Sequence, residues 1–144
     1  MSDLNIDAEK KLVEEKIFDS LKWPFPEKKI ERLLGAIAQD ERLFIYHPDS
    51  QSTIKGFDSF KPMLDVFQSD DVQPTSTDIS ELRISLSQSG EVAWFSALCE
   101  DHGFYKEKAY HWSGCRWTGV LEKRNGDWKI VQMHFSLPTD QKQE

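Results

Sequence analysis

Residues 112–136, Trp112-Ser-Gly-Cys-Arg-Trp-Thr-Gly-Val-Leu-Glu-Lys-Arg-Asn-Gly-Asp-Trp-Lys-Ile-Val-Gln-Met-His-Phe-Ser136, read as two long strands joined at Asn125-Gly126. That dipeptide supplies the positive backbone angles a two-residue hairpin turn needs. Strict alternation puts Trp128, Ile130, Gln132, His134 and Ser136 on one side of the second strand. Lys129, Val131, Met133, Phe135 and Leu137 take the other side. On the first strand Gly114, Arg116, Thr118 and Val120 oppose Cys115, Trp117, Gly119 and Leu121. Pairing through the turn brings Arg116, Thr118, Gln132, His134 and Ser136 together. A polar cluster flanked by aromatics reads as the lining of a pocket.

Upstream of the hairpin the pattern stays extended. Leu82, Ile84 and Leu86 alternate with Arg83 and Ser85, and Ser89-Gly90 turns the chain into Val92–Leu98. That second run is apolar on both faces and reads as central in a sheet. A polar excursion follows from Glu100 to Lys108. The N-terminal half is helical. Ala8, Leu12, Val13, Ile17, Phe18 and Leu21 recur at spacings of three and four, which predicts a helix over 7–22, stopped by Trp23-Pro-Phe-Pro. A second helix is expected from Pro26 through Ile37, a short strand over Leu43–His47, and a polar loop over Asp49–Lys55. Phe57, Phe60, Leu64 and Phe67 space out a third helix, and Asp70–Asp78 reads as a connector with an extended latter half. Helices first and strands afterwards indicate an α+β fold, the helices covering one face of a mainly antiparallel sheet.

The 144 residues are expected to form one domain, with an ordered core over about 7–137 and a disordered tail over Asp140–Glu144. A net charge of -7 argues against nucleic acid or an anionic membrane as partner. No apolar stretch approaches the ~20 residues of a membrane span, and the start has no secretory pattern, so a cytoplasmic protein is expected. Cys99 and Cys115 lie inside predicted strands without CxxC spacing, which favours free thiols. GxGxxG, P-loop, GxSxG and HExxH patterns are absent, and no cofactor is expected.

The element order, with Gly56 opening the third helix, Ser89-Gly-Glu-Val-Ala-Trp94, Arg116-Trp-Thr, Asn125-Gly-Asp-Trp-Lys-Ile130 and His134-Phe-Ser136, resembles the nuclear transport factor 2-like superfamily, specifically its SnoaL-like branch. The likeness covers roughly residues 7–137. It implies a strongly curved sheet forming a cone that the helices close, with the ligand or active-site cavity inside, and it implies homodimers through the outer sheet face. Trp128, His134 and Ser136 are similar to the last strand of the calcium/calmodulin-dependent kinase association domain. In the related ketosteroid isomerases a catalytic aspartate precedes a proline at the end of the first strand. Tyr46-His47-Pro48 and Gly56 reproduce that spacing with His47 in place of the base. The first-helix tyrosine of those isomerases has no counterpart here.

The candidate catalytic residues are therefore His47 and His134, each suited to proton transfer near neutral pH. The candidate ligand-binding residues are Tyr46, Trp94, Trp112, Arg116, Thr118, Gln132 and Ser136. Arg116 either grips a carboxylate or pairs with Glu100 or Asp101. Asp101, His102 and His111 have poor geometry for a metal, because adjacent strand residues face opposite ways, and no metal site is expected. Three functions follow: a binder of a modest apolar ligand with a carboxylate or carbonyl head; a cofactor-independent isomerase, cyclase, dehydratase or hydrolase; or a homo-oligomeric assembly domain. For the last, Cys115, Trp117, Val131, Met133 and Phe135 are the expected outward contact.

Overall fold

The computed structural model describes residues 5–140. The chain runs α1 (Ile6–Lys22), α2 (Ile30–Ala36), β1 (Phe44–Tyr46), a single 3-10 turn (Ser50–Ser52), β2 (Ile54–Lys55), α3 (Phe57–Gln68), β3 (Val72–Leu86), β4 (Val92–Tyr105), β5 (Lys108–Arg124) and β6 (Asp127–Ser136). The strands form one sheet in the order β2-β1-β6-β5-β4-β3. Among the described strands only β1 and β6 pair in parallel, so the sheet is mixed, and the three helices cover one face of it without closing it. No described helix is long and apolar enough to cross a membrane.

Local chemistry accounts for the ends of the elements. Asn5 caps α1 by accepting the Ala8 N–H at 3.0 Å, and Asp7 and Glu9 sit in the first turn, where a helix favours negative charge. One stripe of α1, including Val13 and Ile17, is fully buried against the sheet. α2 is shorter than its spacing predicts. Residues after Trp23 make a turn closed by the Lys29 N–H on the Trp23 carbonyl, so the helix starts at Ile30. Ile37 has already left it as an extended residue bridged to Ile130. The expected loop over 49–55 contains β2, whose Ile54 is buried in the core.

Two differences concern the sheet. The polar run Glu100–Lys108 is no loop: β4 and β5 pair without a break in the hairpin from Asp101↔Trp112 out to Tyr105↔Lys108. Lys106 and Glu107 turn the chain at φ 50° and 68°, the angles a two-residue hairpin requires but that glycine or asparagine usually supplies. The second difference is a β-bulge. Val120 pairs with Gln132 and Leu121 with Ile130, so Val131 is an extra residue that reverses the facing of everything after it. Trp128 and Ile130 are buried beneath the helices, but so are Met133 and Phe135. The expected outward contact of Cys115, Trp117, Met133 and Phe135 is therefore the core side of the sheet, with Val131 half-buried. The expected disordered tail lies, beyond Asp140, outside the described residues.

Candidate functional site

The hairpin does assemble the polar cluster, since Arg116 pairs with Ser136, Thr118 with His134 and Val120 with Gln132. The bulge is what brings Gln132 and His134 onto the face of Arg116 and Thr118, and that face points away from the helices. Arg116, Thr118, Gln132 and His134 are exposed and Ser136 half-buried, and Tyr46 and Trp94 on the same face are each 47% exposed. An open groove of about 430 Å³ lies there, lined by residues that include Arg83, Trp94, Ser96, Thr118 and Gln132. The expectation that these residues line the inside of the cone is thus reversed. Arg116 makes no ion pair among the described residues, because Glu100 is held instead by the Gly114 N–H and the Ser113 hydroxyl. The Gly114 N–H bond is the main cause that keeps the Glu100 carboxyl below its usual range.

Of the candidate residues, His47 and Trp112 stand on the helix-covered side. His47 follows β1, and its ring stacks on Phe135 at 5.5 Å with an interplanar angle of 5°. Trp112 lies 5.2 Å from Phe135 and 6.3 Å from His47, so the three rings form one aromatic wall. His47 Nδ1 is 2.6 Å from the Ser52 carbonyl oxygen. A carbonyl can only accept, so Nδ1 carries the proton, and the neutral ring presents its lone pair at Nε2. Burial lowers the pKa of His47, with the Ser52 bond and Asp49 acting against it. The ring is consequently a neutral base with an assigned tautomer.

Opposite Trp112, in register on β4, is Asp101. It continues the inward-facing series Ala93, Phe95, Ala97 and Cys99, all buried, and its Oδ1 accepts the Thr77 hydroxyl at 2.8 Å. Burial raises the Asp101 carboxyl above its usual range, and the Thr77 bond offsets part of that rise. Tyr110, two residues before Trp112, crosses over Gly103. A Cβ on Gly103 would stand 2.5 Å from the Tyr110 hydroxyl, so only glycine leaves room for the phenol. Burial and the nearby Asp101 push the Tyr110 hydroxyl up to about 12.

The sequence offered Asp101 only as a partner for Arg116 or as a metal ligand of poor geometry, and it singled out neither Thr77 nor Tyr110. An alternating apolar series that ends in a carboxylate marks where a core face becomes a site. His102 and His111 are register partners stacked at 6.0 Å, offset by one residue from Asp101 and Trp112 and so on the other face. Among the described residues no three His, Cys, Asp or Glu side chains converge as a metal site. Cys99 and Cys115 are register partners too, both buried and both free thiols.

This arrangement has relatives in structure. A protein provisionally named scytalone dehydratase from Novosphingobium aromaticivorans superposes with a TM-score of 0.74 at 16% identity, over 99% of this chain and 100% of that one. A nuclear transport factor 2-like protein from Salmonella enterica gives 0.75 at 14% identity, over 96% of each chain. A provisionally named ketosteroid isomerase from Shewanella frigidimarina gives 0.61 at 18% identity, over 92% of this chain and 98% of that one. At such identities these likenesses establish the fold alone. No curated protein matches the chain in sequence. The chain has the nuclear transport factor 2-like fold, and since the family model of the SnoaL-like domain matches residues 16–140, it belongs to that family.

Proposed function

We propose that this protein binds a small, largely apolar molecule at the helix-covered end of the sheet, between His47, Trp112 and Asp101, and that His47 moves a proton on it. The observation that carries this reading is the hydrogen bond from His47 Nδ1 to the Ser52 carbonyl, which leaves Nε2 as an oriented base on a half-buried ring. The chemistry within reach is cofactor-independent proton transfer, of the isomerase or dehydratase kind that two structural neighbours carry in their names.

Native mass spectrometry of freshly purified protein would recover a carried compound to use as ligand. His47→Gln should then keep affinity within about threefold while conversion falls about 100-fold or more. Equal losses of affinity and conversion would reduce His47 to a binding group.

The partner we propose is a second copy of the chain, seated on the outer face. Trp94 is the supporting observation: a large aromatic side chain, 47% exposed, beside an open groove on a sheet face that no helix covers. Light scattering after size exclusion should report a dimer that Trp94→Glu converts to monomer. A wild-type monomer at micromolar concentration would rule this interface out.

A further inference from the structure

We infer that the ligand of the helix-covered site is uncharged and presents a hydroxyl group, as a phenol or an alcohol, to Asp101 and His47. This rests on reading that end of the sheet as the binding site. Its polar atoms are mostly acceptors. His47 offers the Nε2 lone pair, and the Thr77 proton is already donated to Asp101 Oδ1, which leaves the other carboxylate oxygen free for a donor. Only the Tyr110 hydroxyl can donate or accept. A ligand hydroxyl satisfies both sides, giving its proton to Asp101 or His47 and accepting from Tyr110. A ketone oxygen can only accept, from Tyr110 or the Trp112 indole N–H, and leaves Asp101 and the His47 lone pair without a donor.

The charges at the site exclude an anion. Among the described residues, the charges that act on these side chains are Asp49 on His47, His102 on Asp101 and Asp101 on Tyr110, and none of them is a lysine or arginine. Arg116, the residue with the right fork for a carboxylate, is on the opposite face of the sheet. A carboxylate brought beside Asp101 would lose its water without gaining a counter-ion, which is among the costliest ways to bury charge. The wall of Trp112, Phe135 and His47 favours a flat, apolar body.

Three probes on one ring system test this: 2-naphthol, 2-acetonaphthone and 2-naphthoate, titrated calorimetrically into the full chain at pH 7. We expect 2-naphthol to bind about tenfold more tightly than 2-naphthoate, with 2-acetonaphthone between them. Asp101→Leu and, separately, His47→Phe should weaken 2-naphthol and leave 2-acetonaphthone within about twofold. The wild-type ranking stands even if a variant misfolds. Binding of 2-naphthoate as tight as that of 2-naphthol overturns the inference and leaves the site reading intact. Binding of 2-naphthol that survives both substitutions but is lost in Trp94→Ala places the probe on the outer face and overturns both, as does failure of all three probes to bind.

Discussion

Arg116 and Trp117 are neighbours in sequence and belong to different environments. Arg116 lies on a solvent-exposed sheet face with Thr118, His134 and Trp94; Trp117 is 0% exposed beneath the helices. Its ring meets Phe95 edge-on at 5.0 Å and stacks on Phe135 at 5.4 Å, and its indole N–H lies 3.3 Å from the Met133 sulfur. The contrast teaches that on this sheet polarity alone does not mark the site. The outer face is the more polar of the two, yet its groups stand in open solvent, where a hydrogen bond or a charge contributes little. The inner face has few polar groups, and burial makes each one count: His47 and Asp101 both have pKa values moved by desolvation.

The largest effect that can break this comparison comes from the adjacent pair itself. Trp117→Ala should cost about 3–5 kcal/mol, enough to consume much of the stability of an ordinary domain. Arg116→Ala should stay within about 0.5 kcal/mol. Urea unfolding followed by circular dichroism measures both. An Arg116 variant as damaged as the Trp117 variant would mean that the dimer proposed through Trp94 buries Arg116 too, and a concentration-dependent midpoint would trace that burial to the partner copy.

Most of the architecture was legible in the residues. The 3.6-residue spacing of α1 and α3 and the Asn125-Gly126 turn, observed at φ 51° and 80°, stand where the pattern puts them, whereas the pairing of Arg116 with Ser136 and Thr118 with His134 needs the bulge, since an unbroken ladder from that turn would set them opposite Phe135 and Met133. The facing of β6 beyond Ile130 was not anticipated, because strict alternation was carried through a bulge. The signal was nonetheless there: Trp128 and Ile130 fall on one phase of the alternation and Met133 and Phe135 on the other, so the apolar phase changes between them. The long hairpin of β4 and β5 was hidden for a different reason. Lys106-Glu107 turns it with residues that carry no turn signature, and the polar residues around it read as loop. Of the proposed site, His47 and Trp112 were candidates from position, whereas Asp101 and Tyr110 enter it only through the register that continues the sheet past Cys99.

A smaller effect sharpens the same comparison through pH. The pKa of His47 is lowered in the folded chain, chiefly by burial, so between that lowered value and the ordinary histidine value of about 6.5 the unfolded chain binds the extra proton and the folded one does not. Stability must therefore fall as pH drops below the ordinary histidine value, and the loss must level off once pH passes below the folded pKa. Asp101 works in the opposite direction: its raised pKa makes the folded chain the better proton binder above about pH 4, so acidification there relieves part of its burial cost. The two residues oppose each other between their titrations, which predicts a shallow net acid dependence in the wild type. Replacing His47 by Gln should leave only the Asp101 contribution at this site. The urea midpoint of that variant should fall less than that of the wild type between pH 7 and pH 5, or should rise. A His47→Gln profile that follows the wild type would remove the burial of His47 as the source of the dependence.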